Sequence, residues 1–94
     1  MAINNYQGFT TSLVPVLGGQ WNVVTIPVGA IDAVITLEDT TLSFRVASVG
    51  SGGATAGAYV PAQGSYVLQG TCAKATNVYL YPAGGTNAVL QVQT

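Results

Sequence analysis

The chain has 94 residues, enough for one domain, and folding at this size hides only about 60 to 65% of the surface that the unfolded chain exposes. Apolar residues make up 49% of it, which excludes intrinsic disorder, but charged residues make up only 5%, against about 25% in a typical globular domain. With Arg45 and Lys74 as its two cations and a net charge of −1, the chain cannot neutralise several phosphates, so we expect neither nucleic acid nor a membrane surface as partner.

The first residues indicate where the protein is made, whereas the single cysteine leaves the redox compartment undetermined. Cys72 is the only cysteine, which excludes an intrachain disulfide and a thiolate metal cluster. The opening letters MAINNYQGF contain no basic region followed by an apolar run, and no stretch approaches the ~20 apolar residues of a membrane span. We therefore expect synthesis in a cytoplasm without a signal peptide, with release by another route, such as on a particle freed by lysis.

In residues 1–19 the apolar residues are not regularly spaced, and only residues 11–16 are predicted to form a strand. We predict that this segment is either an edge strand that covers the sheet or an extended arm that docks on a neighbouring subunit. Pro15 fits both, since proline is tolerated in edge strands but not in a central ladder. Residues 20–94 are predicted to form a single β-sandwich domain.

Apolar residues alternate through the next three predicted strands. Residues 20–26 are partly apolar on both faces, and Trp21 is predicted to fill the core. Pro27 is expected to set φ for the first corner of a turn. Residues 31–48 are interpreted as two apolar strands joined across an acidic turn, and as the element around which the rest of the chain packs.

The second half of the chain repeats strand and turn signals. Residues 49–58 are a loop of glycine and small residues with no side chain large enough to pack, which we expect to be flexible or shaped by a partner. Strands are predicted at residues 59–60, 65–69, 77–81 and 86–94. Strands at about ten-residue spacing without a helical period predict an all-β fold, an antiparallel β-sandwich or small jelly-roll-like barrel of six to eight strands with an extended N-terminal arm.

No set of catalytic groups is recognisable. The chain has no histidine, the usual general base. The adjacent carboxylates of Glu38 and Asp39 point in different directions in a turn, and with Asp32 they fall short of the about six to eight oxygens that Ca²⁺ takes. The glycines at 50–57 lack the Gly-Lys-Ser/Thr of a phosphate-binding loop. We expect a non-enzymatic protein without a metal or other cofactor.

Candidate contact residues are exposed aromatic or apolar side chains and one arginine. Arg45 is predicted to form an ion pair with Asp32 or Glu38, or to contact a neighbouring subunit. Exposed tyrosines among Asn and Gln face an interface or solvent, and such rings can also stack on sugars. The candidate partner-contact residues are Ile3, Tyr6, Phe9, Leu13, Val14, Arg45, Tyr59, Tyr79 and Tyr81.

The chain contains, in order, WNVVTIPVGA at residues 21–30, TLSFRV at 41–46, VPAQGSY at 60–66, VYL at 78–80 and VLQV at 89–92. This order resembles small virion structural proteins of tailed bacteriophages. The resemblance implies a compact β-sandwich in the virion, made in the host cytoplasm, that decorates or cements a capsid or forms part of a head fibre or tail. It carries no individual functional residue, because its motifs are turn and core signals.

Two functional hypotheses follow. The first is a capsid decoration or cement protein that binds the major capsid protein or other virion subunits; the alternative is a carbohydrate- or host-surface-binding module of a phage fibre or tail. We also expect a homo-oligomer, with a trimer favoured, because a sandwich leaves open sheet edges and the uncharged last strand, at residues 86–94, offers its outer ladder for pairing.

Overall fold

Eight strands make up the regular structure of the residues that the computed structural model describes, 9–53, 56–69 and 75–93. They are β1 (Phe9–Val16), β2 (Asn22–Ile26), β3 (Asp32–Leu37), β4 (Phe44–Ala47), β5 (Ala58–Val60), β6 (Tyr66–Gln69), β7 (Thr76–Pro82) and β8 (Thr86–Gln93). These described ranges contain no helix. The all-β prediction is therefore confirmed.

The strands form two antiparallel four-stranded sheets: sheet A, in the order β1-β8-β3-β6, and sheet B, in the order β2-β7-β4-β5. Strands β1, β2, β3 and β4 pair in turn with β8, β7, β6 and β5. The chain thus runs as one long hairpin whose tip is the glycine-rich loop between β4 and β5. Rolling this hairpin adds the β3–β8 and β4–β7 pairs and gives a jelly roll, within the predicted class.

The interpretation of residues 31–48 as two paired strands is wrong. β3 belongs to sheet A and β4 to sheet B, so the segment crosses from one sheet to the other. The backbone N–H of Glu38 donates to the carbonyl of Asn87 at 2.8 Å, and the N–H of Leu42 donates to the carbonyl of Asp39 at 3.2 Å. The first bond extends the β3–β8 pairing of sheet A by one residue, and the second closes a turn after which β4 begins in sheet B.

The core lies between the two sheets and follows the alternation of the strands. The inward side chains of β3, β4, β7 and β8 are those predicted from sequence, apart from the exposed Ile31 before β3. Ile35 and Leu80 are fully buried, and full burial of one such side chain contributes about 1.5 to 3 kcal/mol. The buried core consists of Val16, Val24, Ile26, Ala30, Ala33, Ile35, Leu37, Phe44, Val46, Val60, Val78, Leu80, Ala88, Leu90 and Val92.

Strand β1 is an edge strand of sheet A, one of the two alternatives predicted for residues 1–19. It pairs with β8 along its whole length, from Phe9 opposite Gln93 to Val16 opposite Thr86, and Val16 is buried. The outer ladder of β8, predicted to pair with a neighbour's strand or with the chain's own arm, is thus occupied by the chain itself. Residues 1–8 lie outside the described part of the chain.

Two proline turns share one geometry. The carbonyl of Pro27 accepts the N–H of Ala30 at 3.4 Å, and Gly29 has a φ of 89°. In the second turn, residues 61–64, Gln63 takes the equivalent position with a φ of 67°. Proline therefore occupies the position before the first corner, not the corner itself as predicted, and the left-handed residue is the third of the turn.

Candidate functional site

Four large side chains form a row across the outer face of sheet B. Arg45 on β4 lies opposite Tyr81 on β7 and opposite Tyr59 on β5. Trp21 directly precedes Asn22, which is opposite Leu80, so the indole continues the row beyond Tyr81. Successive residues of a strand point to opposite faces, and the neighbours of these residues fill the core. We call Trp21, Tyr81, Arg45 and Tyr59 the aromatic–arginine row.

The side chains of the row contact one another in pairs. The ring centres of Trp21 and Tyr81 are 5.2 Å apart, with an angle of 68° between the ring planes, the edge-to-face arrangement that aromatic pairs favour. The guanidinium carbon of Arg45 lies 5.1 Å from the centre of the Tyr59 ring, within range of a cation–π interaction. Tyr59 is nevertheless 57% exposed. The row is therefore partly pre-ordered and open to solvent.

Arg45 has no carboxylate partner among the described residues, so the predicted ion pair with Asp32 or Glu38 is wrong. Asp32 points out of sheet A, on the other side of the sandwich. Glu38 instead accepts a hydrogen bond from the side-chain amide of Asn87, at 3.0 Å. The guanidinium keeps N–H donors available for an anionic group from outside the chain.

A shallow cavity of about 150 Å³ opens beside the row. Arg45, Tyr59 and Tyr81 line it from the row itself, and Ser43 and Ala83 line it on the side away from the glycine loop. The inward-pointing Phe44 contributes to its base. A cavity of this size and lining can accept one small ring or side chain, with hydroxyl groups and a cation at its margin.

The glycine-rich loop lies against the neighbouring part of the same face. The carbonyl of Gly52 accepts a hydrogen bond from the indole N–H of Trp21 at 2.7 Å. A methyl group added at Gly50 would come within 2.6 Å of the Tyr79 ring, so the loop backbone touches that ring. This loop contact, and not burial in the core, explains the half-buried state of Trp21; the prediction that Trp21 fills the core is wrong. The glycines pack closely because they lack side chains.

The predicted contact residues fall on different parts of the fold. Arg45, Tyr59, Tyr79 and Tyr81 meet on the outer face of sheet B. Leu13 is 55% exposed on the outer face of sheet A, whereas Val14 packs against the core. The remaining candidates, Ile3, Tyr6 and the side chain of Phe9, lie outside what the structure describes.

Trp21 was considered with the tyrosines for stacking on sugars but was assigned to the core, and Ser43 was missed as a member of this site. Trp21 shares its face with Val23 and Thr25, which are both exposed, and this shared face was the available signal. The signal was ambiguous because the opposite face of the same strand is also apolar. Ser43 has no signal of its own, since it becomes part of the site only through its place beside Tyr81 and Tyr59.

A second opening lies between the edge strands β1 and β2. It is a groove of about 510 Å³ lined by Thr10, Ser12, Val14, Val23, Thr25, Pro27, Leu90 and Val92. None of these side chains is ionisable, so the groove offers shape and hydroxyl groups but no acid, base or metal ligand. In the ranges described, no three His, Cys, Asp or Glu side chains are close enough together to hold a metal ion. The described residues also contain no helix long and apolar enough to cross a bilayer.

Comparison of the chain with protein-family models, with curated proteins and with solved structures finds no match.

Proposed function

We propose that this chain is a non-enzymatic structural protein of a phage particle, a capsid decoration or cement subunit that binds the major capsid protein lattice and stabilises the head. The observation that carries the proposal is the outer face of sheet A. Leu13 on β1 and Val67 on β6 are 55% and 52% exposed there. Asp32 is the one charged side chain that the described strands of sheet A place on this face.

A neutral face of this kind suits a permanent contact with a neighbouring protein. The centres of protein interfaces are depleted in charged residues, and the loss of water from a charged group opposes association. Thr11, Gln91 and Val34 lie side by side across β1, β8 and β3, so polar but uncharged groups separate the aliphatic ones. The jelly roll is also common in viral capsid domains, which supports the proposal as fold-level analogy alone.

Substitutions on this face test the proposal. Leu13→Lys and Val67→Lys each place a charge on the outer face of sheet A without entering the core, so both variants should fold. We expect purified particles to contain the wild-type polypeptide by mass spectrometry and to lose it in both variants. Val28→Lys, at a turn where the side chain is 63% exposed, is the matched control and should remain on the particle. Particles that lack the wild-type polypeptide would contradict the proposal.

Self-association, with a trimer favoured, remains part of the proposal. It would use the free edge of β1, because β1 already occupies the outer ladder of β8. β1 is the longest of the four edge strands, with 8 residues, whereas β2, β5 and β6 have 5, 3 and 4. Short edges resist pairing with other chains, so β1 is the edge most open to a neighbour. Sedimentation at micromolar concentration should show a discrete oligomer; a monodisperse monomer would exclude this arrangement.

The aromatic–arginine row favours a second function, a carbohydrate- or host-surface-binding module of a phage fibre or tail. Exposed rings on neighbouring strands offer flat apolar surfaces that sugar rings can cover, and tyrosine hydroxyls add hydrogen bonds at the ring edge. A glycan array should give a signal with the wild-type chain that Tyr59→Ala and Tyr81→Ala reduce. An array without any signal would remove this function.

A further inference from the structure

The aromatic–arginine row combines aromatic surfaces with a cation that contacts no carboxylate of the described residues, and this combination specifies a ligand class. We infer that the row binds a carbohydrate that carries a carboxylate, such as a hexuronic acid within an oligosaccharide, with the carboxylate on Arg45 and a sugar ring over the neighbouring tyrosines. The inference rests on the carbohydrate-binding function proposed above and names its ligand class.

The Arg45 guanidinium is suited to bind a carboxylate. It is planar, permanently charged and matched to a carboxylate, to which it can donate two parallel hydrogen bonds. Its position over the Tyr59 ring restricts its freedom before any ligand arrives, so less entropy is lost on binding. Because none of the described carboxylates contacts it, a ligand anion need not displace an internal partner.

Arg45 lies beside a cavity and aromatic rings that a sugar can contact. The cavity of about 150 Å³ beside it is lined by both tyrosine rings and by Ser43, whose side chain supplies a hydroxyl group. Trp21 holds Tyr81 from the far side, and Gly52 in turn fixes the indole through its hydrogen bond. Neighbouring strands lie about 4.8 Å apart, so the whole row spans about 14 Å, which suits a short oligosaccharide better than a single small ion.

The single cation of the row limits how much negative charge its ligand can carry. The chain has two cations in all, and the row contains one of them. Polyanions such as nucleic acids or strongly acidic peptides need several cations close together. A glycan that carries a single carboxylate among neutral sugar rings is matched by one arginine among aromatic side chains. We therefore favour an acidic glycan over an acidic peptide.

The test measures binding of the full chain by calorimetry to three probes: an acidic oligosaccharide with a single hexuronate residue among neutral sugars, a neutral oligosaccharide of the same length, and an oligoglutamate peptide. We expect the acidic oligosaccharide to bind most tightly and its affinity to fall when salt is raised. Arg45→Gln should weaken binding of the acidic oligosaccharide by about tenfold or more, since a hydrogen-bonded charge pair is lost, and Arg45→Lys should fall between the two. Leu13→Ala, on the opposite sheet, is the matched control and should bind as the wild type.

The outcomes separate the two proposals. Equal binding of the neutral and acidic oligosaccharides, or unchanged binding of the acidic oligosaccharide in Arg45→Gln, would overturn the acidic ligand and leave the carbohydrate-binding function standing. Oligoglutamate that binds as tightly as the acidic oligosaccharide would overturn the assignment to sugars. No binding of either oligosaccharide by a folded chain, as judged by circular dichroism, would overturn both.

Discussion

The hairpin tip gives a sharp test of the fold, because Gly57 is constrained in two independent ways. Its φ is 80°, and a methyl group added there would lie 2.5 Å from the carbonyl oxygen of Val46. That carbonyl belongs to β4, and Val46 is paired with Ala58 of β5. Gly57→Ala must therefore both accept a left-handed backbone and push the last turn of the hairpin away from β4.

The size of the effect follows from these two constraints. A left-handed conformation costs an L-residue about 1 to 2 kcal/mol, and a lost or stretched backbone hydrogen bond costs about 1 kcal/mol more. Replacement of glycine by alanine returns about 0.4 to 1 kcal/mol by restricting the unfolded chain. We expect a net loss of about 2 kcal/mol, which lowers the urea midpoint by about 1 M for an m-value near 2 kcal/mol/M.

The assay is urea denaturation followed by circular dichroism, with Gly53→Ala as the matched control. Gly53 lies in the same loop, has no positive φ and has open space around it, so alanine there should be neutral or slightly stabilising. Gly57→Asn separates the two constraints, because asparagine tolerates a left-handed backbone but keeps the clash. If Gly57→Ala has the same midpoint as Gly53→Ala, the hairpin tip does not have the geometry on which this reasoning depends.

Three further predictions concern the core, a loop and a carboxylate. Leu80→Ala, at a fully buried position, should lose about 3 kcal/mol in urea denaturation, whereas the exposed control Val28→Ala should change by less than about 0.5 kcal/mol; equal effects would contradict the assigned core. Asn22→Ala removes three side-chain hydrogen bonds to the backbone of Leu17 and Gln20 in the β1–β2 loop and one to the carbonyl of Leu80 on β7, and should cost about 2 kcal/mol. Hydrogen exchange should become faster in the β1–β2 loop, and unchanged exchange there would be inconsistent with this role. The pKa of Asp39 lies below its ordinary value of 3.8 because the Thr41 hydroxyl and then the Thr41 backbone N–H donate to the carboxylate. These hydrogen bonds therefore stabilise the folded chain at pH values above 3.8, and that stabilisation is lost as the pH falls through the lowered pKa. Thr41→Val should raise the pKa of Asp39 in an NMR titration, and an unchanged pKa would exclude the hydroxyl as its main cause.

The sequence predicted the strands well because their signal is local. In β7, Val78 and Leu80 alternate with Tyr79 and Tyr81, and the structure buries the first pair and turns the second pair outward. A period of two needs no knowledge of the partner strands. The same reasoning placed the apolar positions of β3, β4 and β8 correctly.

Strand pairing could not be predicted from the same signal. Apolar and polar residues alternate in β3 and β4, as expected of two strands in one hairpin. Two strands that face each other across a sandwich show the same alternation, so this pattern does not distinguish the two arrangements. Their assignment to different sheets depends on pairing of β3 with β6 and β8, across long stretches of chain. The error over Trp21 has a related cause: its predicted strand is apolar on both faces, so only the packing of sheet B against sheet A decides which face is covered.

Three members of the aromatic–arginine row were predicted from sequence, but Trp21 and the arrangement of the row were not. Outward positions of Arg45, Tyr59 and Tyr81 follow from alternation within each strand. Their alignment in one row follows from register, which places Arg45 opposite both tyrosines. A shift of the register by one residue would turn one side chain of each pair into the core, so the row exists because apolar burial fixes the register.

The two proposed functions use opposite faces of the sandwich, which yields a last prediction. Leu13 projects from the outer face of sheet A and Arg45 from the outer face of sheet B, with the buried core between them. A subunit that docks on a particle through sheet A therefore turns the aromatic–arginine row toward solvent, where a surface glycan can reach it. Since the two positions share no contact, their substitutions should act independently. Leu13→Lys should lose particle binding and keep glycan binding, and Arg45→Gln should do the reverse; a single substitution that removes both would show that the two activities share one surface, and the division between the sheets would fail.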